Sequence, residues 1–142
     1  MKAYVDSSFL VSSYVTDAHS PQADLRVALG NQVLITPFNR AEFAVAVHQQ
    51  VFLHRFALVE AQRICSEFQR DCITGLWVSI DFPPRAWETC AGLARSYGSS
   101  LGVRTLDSLH VACALELGAE KFWTFDDRQA RLAEAVGLDT KA

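Results

Sequence analysis

Apolar positions come along this chain in two rhythms. Short runs of apolar and β-branched residues recur at 2–5 (KAYV), 33–36 (VLIT), 76–80 (LWVSI) and 121–125 (KFWTF). Such continuous runs read as strands buried on both faces. Between them apolar residues fall at helical spacing, as with Phe43, Val47 and Val51, or with Leu58, Ile64, Phe68 and Cys72. The pattern predicts helices over 8–16, 21–29, 40–54, 56–74, 85–97, 106–117 and 127–136, with glycines 30, 75, 98, 118 and 137 as stops. Ser7 or Ser8, Asn39 and Thr105 stand where helix caps belong, and Pro21 suits a first turn. The segment GLDT at 137–140 offers a further short edge strand. Strand and helix alternate throughout, which predicts an α/β fold with a parallel sheet of four or five strands covered by helices on both faces. Ligands of such sheets bind beyond the carboxyl ends of the strands, where the strand order reverses.

Four acids stand at such places: Asp6, Glu42, Asp107 and Asp126. Asp6 follows the first strand, and its plain structural role is to cap the next helix. Glu42 lies in a first helical turn. Asn39 and Glu42 have capping-box spacing, so Glu42 has a structural use of its own. Asp107 also lies in a first turn, where its charge suits the helix dipole. Asp126 stands two residues after Thr124, at the end of the most aromatic strand, and its neighbour Asp127 reads as the helix cap. Each acid has an ordinary explanation alone. Together they form an ordered set of carboxylates that could converge on a divalent metal. Ser8 and Thr124 stand beside them as supporting hydroxyls, and Arg40, Arg104 and Arg128 are neighbours able to hold flanking phosphates.

Composition changes this picture little. The chain has 142 residues, half of them hydrophobic, with a formal net charge of −3. That predicts one domain spanning 1–142, with an ample core. The acidic balance excludes a broad basic footprint for nucleic acid, yet without the four acids the rest is close to neutral. Cys65, Cys72, Cys90 and Cys113 form no C-x-x-C pair and read as buried free thiols. No signal-peptide pattern or membrane-length apolar run is expected, and a reducing cytoplasm is the simplest home. His110 reads as a buried, hydrogen-bonded histidine, and Trp123 and Phe125 as core.

The ordered set resembles the PIN-domain nucleases, and more narrowly the VapC-like toxins of toxin–antitoxin pairs. The resemblance is carried by Tyr4-Val5-Asp6-Ser7-Ser8 with Leu10, Val11 and Tyr14; by Arg40-Ala41-Glu42-Phe43; by Asp107-Ser108-Leu109-His110-Val111-Ala112-Cys113-Ala114; and by Gly118 with Phe122-Trp123-Thr124-Phe125-Asp126, then Arg128 and Ala130. It spans 2–137. Ser7 stands where a threonine is common. The resemblance implies a three-layer α/β/α fold and Mg2+- or Mn2+-dependent cleavage of RNA. It implies that Asp6, Glu42, Asp107 and Asp126 bind metal, beside the small hydroxyls Ser8 and Thr124. It also implies a cognate antitoxin that blocks the site, and a homodimer.

The chemistry suits the residues. Hard oxygen ligands match Mg2+ and Mn2+. A bound ion acidifies water and neutralises charge building on a phosphate. RNA would be read as a splayed single strand or loop. Two other readings remain. One is a PIN-like module that binds RNA or protein without catalysis. The other, a phosphohydrolase with Asp6 as nucleophile, is disfavoured because Ser8 stands where a second aspartate is expected.

Overall fold

A computed structural model describes residues 1–141. The chain runs β1 (Lys2–Val5), α1 (Ser7–Tyr14), α2 (Ser20–Val27), β2 (Gln32–Ile35), α3 (Pro37–Phe52), α4 (Leu58–Thr74), β3 (Val78–Ser79), α5 (Ala86–Leu101), α6 (Thr105–Glu116), β4 (Lys121–Trp123) and α7 (Asp127–Ala135). The four strands form one parallel sheet in the order β3-β2-β1-β4. After β1 the chain builds outward on one side through β2 and β3, then returns to place β4 on the other side. The strand order therefore reverses between β1 and β4, and the crevice expected of such a sheet opens at their carboxyl ends.

Alternation along the strands sorts the core into two halves. Ala3, Val5, Val33, Ile35 and Trp123 face one way, onto Phe9 of α1, Phe43 and Val47 of α3, and Ile64 and Phe68 of α4. Tyr4, Leu34 and Phe122 face the other way, onto Cys90 and Leu93 of α5, Leu109 and Cys113 of α6, and Leu132 of α7. This is the three-layer α/β/α arrangement. Helix α6 is buried at every position from Ser108 to Ala114, because sheet, α5 and α7 surround it. A helix covered on all sides is apolar nearly all round, which explains Leu109 and the run Val111 to Ala114, with buried Ser108 and His110 as its polar members.

Several boundaries differ from expectation for identifiable reasons. The third strand shrinks to two residues because the backbone N–H groups of Leu76 and Trp77 turn back to Asp71 O at the end of α4. Helix α5 runs through Gly98 and stops at Gly102, whose φ of 63° supplies the left-handed end. Helix α3 starts at Pro37, not 40: Thr36 is its cap and Asn39 its third residue, reaching back to Thr36 N at 2.8 Å. The expected edge strand at 137–140 is a single bridge between Asp139 and Lys121. The four cysteines are free thiols, with Cys90 and Cys113 buried and Cys65 and Cys72 half-buried. No helix among the described residues is long and apolar enough to cross a membrane.

Candidate functional site

Asp6 leaves the end of β1 at the mouth of the crevice and is buried. Its Oδ1 accepts from Phe9 N at 3.0 Å, so Asp6, rather than Ser7 or Ser8, caps α1. Ser8 Oγ lies 2.7 and 2.9 Å from its two oxygens, and Thr124 Oγ1 lies 2.7 Å from Oδ2. The cap and the cluster are thus the same group. Burial pushes the Asp6 carboxyl above the usual carboxylate range, opposed by the attraction of His110 and by these hydrogen bonds.

Glu42 projects from the first turns of α3. With Thr36 and Asn39 satisfying each other, it is not needed for capping. Two donors converge on its Oε1: Ser7 Oγ at 2.6 Å and His110 Nε2 at 2.5 Å. Burial raises the Glu42 carboxyl, but the contacts with His110 and Ser7 outweigh it and hold the group below its usual value. Glu42 is therefore an ionised acceptor, and the Nε2 of His110 carries the proton it donates. Tyr4 is kept a phenol by burial, which raises its pKa well above normal. Its hydroxyl lies 2.7 Å from His110 Nδ1 and 3.2 Å from Asn39 Oδ1. The shorter contact takes the proton, giving a chain from Tyr4 through His110 to Glu42 that joins β1, α6 and α3. Phe38 stacks on the His110 ring at 4.2 Å and fixes its plane.

Asp107, in the first turn of α6, differs from both. It is half-buried, and no protein donor reaches its carboxylate among the described residues. Burial raises its pKa, and so does repulsion from Asp126, Asp6 and Glu42. Those contributions place the other three acids within electrostatic reach of Asp107. Asp126 caps α7 through Oδ1 to Gln129 N at 2.9 Å. This corrects the expectation that Asp127 is the cap; Asp127 opens the helix. A cavity of about 440 Å³ is lined by Asp107, Asp126 and Asp127 together with Arg104 and Arg128. Arg40 is elsewhere: it lines a separate groove with Phe43, Phe68 and Cys72. It stands two residues before Glu42, and residues two apart on a helix point to opposite sides.

Two partners in this network were missed by sequence reasoning. His110 is the buried, hydrogen-bonded histidine expected, but its grip on Glu42 was not foreseen. Gln129 is fully buried; its Nε2 donates to Asp107 O at 3.0 Å, and its Oε1 lies 2.7 Å from Thr124 Oγ1. It ties α7 to α6 and the Thr124 hydroxyl. A polar residue on the inner face of a short helix was the available signal.

Among the described residues, no three His, Cys, Asp or Glu side chains are posed to close around an ion as they stand. The donor set nevertheless fits a hard divalent cation. It offers only carboxylate and hydroxyl oxygens; among the described residues Glu42 Oε2 accepts no hydrogen bond and the Asp107 carboxylate has no donor, while three acids repel it. Mg2+ binds through one or two carboxylates and retained waters, so it needs no closed protein cage.

The PIN-domain family profile matches residues 3–135. No curated protein matches the sequence significantly. Solved structures do match in fold. Mycobacterium tuberculosis VapC20, a sarcin–ricin-loop-cleaving toxin, superposes with a TM-score of 0.70 at 14% identity, over 96% of this chain and 95% of its own. FitAcB from Neisseria gonorrhoeae gives 0.69 at 14%, over 97% and 95%. VapBC2 from Rickettsia felis, bound to a promoter DNA fragment, gives 0.65 at 16%, over 99% and 98%. With the profile covering nearly the whole chain and the sheet order and layers in place, this chain belongs to the PIN-domain family.

Proposed function

We propose that the protein is a metal-dependent endoribonuclease, the toxin of a toxin–antitoxin pair, with Asp6, Glu42, Asp107 and Asp126 as its metal-binding acids. The observation that carries this reading is Asp107. It is a half-buried carboxylate without a donor, raised by burial and by three neighbouring acids. Proteins pair or neutralise such groups, and a cation would do so here. Mg2+ or Mn2+ held by the four acids would supply Lewis-acid activation of water and of the scissile phosphate. The chain's own residues hold the oxygens in place. Ser8 and Thr124 orient Asp6, while Ser7 and His110 fix Glu42 through one oxygen and leave the other without a donor among the described residues. Arg104 and Arg128 border the same cavity, and their side chains make no ion pair among the described residues. They are suited to phosphates flanking the cut.

RNA as substrate draws on the resemblance to VapC-like toxins and on the loop-cleaving activity of VapC20. The same resemblance supplies the cognate antitoxin, a homodimer and action in the cytoplasm, with 1–142 as a single nuclease unit. The test is cleavage of total RNA by purified protein with Mg2+, Mn2+ or EDTA, beside Asp6→Asn. Discrete fragments that disappear with EDTA and with Asp6→Asn are expected. Intact RNA in every lane, from folded protein free of antitoxin, would instead favour a non-catalytic binding module.

A further inference from the structure

Asp126 borders two cavities of opposite character. On one side lies the polar cavity with Arg104 and Arg128. On the other is a cavity of about 420 Å³ lined by Ser7, Ser8, Val11, Ser12, His19 and Phe125, among others. Its volume falls within the roughly 300–1,000 Å³ of small-ligand sites. Its aromatic wall is part of a stack. Buried Phe9 lies against Phe125 at 5.6 Å and 14°, and Phe125 against His19 at 4.3 Å and 8°. Phe125 was expected in the core, but β4 ends at Trp123 and Phe125 is only half-buried. The outermost ring, His19, is exposed.

This stack is held in register with the acids. Phe125 N donates to Ser8 Oγ at 3.4 Å, and Ser8 is the hydroxyl that contacts Asp6. The turn carrying His19 is fixed by Asp17, whose Oδ1 accepts from His19 N at 2.8 Å and whose Oδ2 accepts from buried Ser12 at 2.8 Å. A surface ring held this firmly loses little freedom when a second flat ring stacks on it.

We propose that this cavity is a nucleobase subsite. The base next to the scissile phosphate stacks on His19, continuing the ring series, while the strand's phosphates on the other side of Asp126 lie against Arg104 and Arg128. This rests on the ribonuclease reading and adds to it how the strand is gripped. A polar cavity for backbone and a ring-walled cavity for a base, meeting at one acid, match the two needs of single-strand binding.

The test uses the cleavage-deficient Asp6→Asn protein with Mn2+, and three labelled RNA hexamers: oligoadenylate, oligouridylate and an abasic ribose-phosphate chain. The adenylate is expected to bind more tightly than the abasic chain. Adding His19→Ala should weaken adenylate binding roughly 5- to 150-fold, the range of lost base–aromatic stacking, and leave abasic binding unchanged. His19→Trp should restore it. Because His19 is exposed, these variants should keep the parent's melting temperature. Equal binding of adenylate and abasic chains, or an unchanged adenylate affinity in His19→Ala, would overturn the subsite. Loss of antitoxin binding in His19→Ala with RNA affinity intact would also overturn it, and assign the cavity to protein. Failure of the nuclease reading is seen separately, as intact total RNA with wild-type protein and either metal.

Discussion

Glu42 shows how much of this site depends on single hydrogen bonds. Ser7 and His110 both donate to Oε1, so the carboxylate cannot swing and Oε2 stays available. Removing the His110 donor frees that rotation and leaves Tyr4 without its shorter partner. His110→Phe is therefore expected to weaken Mn2+ binding about 10- to 100-fold, the usual cost of losing a group that orients a metal ligand. The readout is the Mn2+ concentration that half-saturates the rise in melting temperature. His110→Gln, which can still donate, should recover part of the loss, and Tyr4→Phe should cost less than His110→Phe because the contact to Glu42 survives. Equal Mn2+ affinity in wild type and His110→Phe would show that the histidine serves the core alone. His110 looked apolar in context because six buried neighbours on α6 surround it in sequence. The residue it touches is 68 positions away, which no local pattern records.

At the scale of elements, the alternation of strands and helices was readable because each strand is a continuous apolar run and each long helix carries a stripe. What local pattern misjudged were the joints. Thr36, not Asn39, caps α3; Asp126, not Asp127, caps α7; and Gly98 does not stop α5. The first of these choices goes with a tertiary partner. Asn39, the third residue of that helix, serves instead as a staple: Nδ2 donates to Val5 O at 2.7 Å, and Oδ1 accepts from Thr36 N at 2.8 Å and from Thr36 Oγ1 at 2.9 Å. It thereby joins the carboxyl ends of β1 and β2 to the start of α3, the helix that presents Glu42. Asn39→Ala would strand several of these buried groups at once. A loss of roughly 2–4 kcal/mol is expected, since each buried polar group left unpaired costs about 1–3 kcal/mol. Urea unfolding would measure it, and a change under about 0.5 kcal/mol, the range of ordinary surface substitutions, would contradict the staple. The acids themselves were legible as an ordered set, but the stabilising shell of Gln129, His110 and Asn39 was not, because it is assembled from α7, α6 and α3 across the sheet ends.

At the scale of the whole molecule, the fold gathers negative charge at the one place where its strand order reverses. Asp6 and Asp107 are both raised, first by burial. A carboxyl with a folded pKa above its unfolded value binds its proton more tightly in the folded state. It favours folding while protonated, and that contribution is lost as pH rises through the folded pKa. The metal-free protein is thus penalised for Asp6 and Asp107 near neutral pH. Asp107→Asn removes one charge without removing any hydrogen bond that a protein donor makes to that carboxylate. In EDTA this variant is expected to melt at or above the wild-type temperature, and the margin should be larger at a mildly alkaline pH than at an acidic one, because wild-type Asp107 ionises as pH rises through its raised pKa. With saturating Mn2+ the order should invert: the wild type gains from binding a ligand that the unfolded chain lacks, and the variant gains less. Melting curves at both pH values, with EDTA and with Mn2+, read all of this in one experiment. A variant less stable than wild type in EDTA at the higher pH would mean that Asp107 is a structural group already satisfied by the protein. The inverted order would mean that Asp107 is costly to the fold alone and is compensated by the cation, which is the physical signature of a group kept for binding rather than for stability.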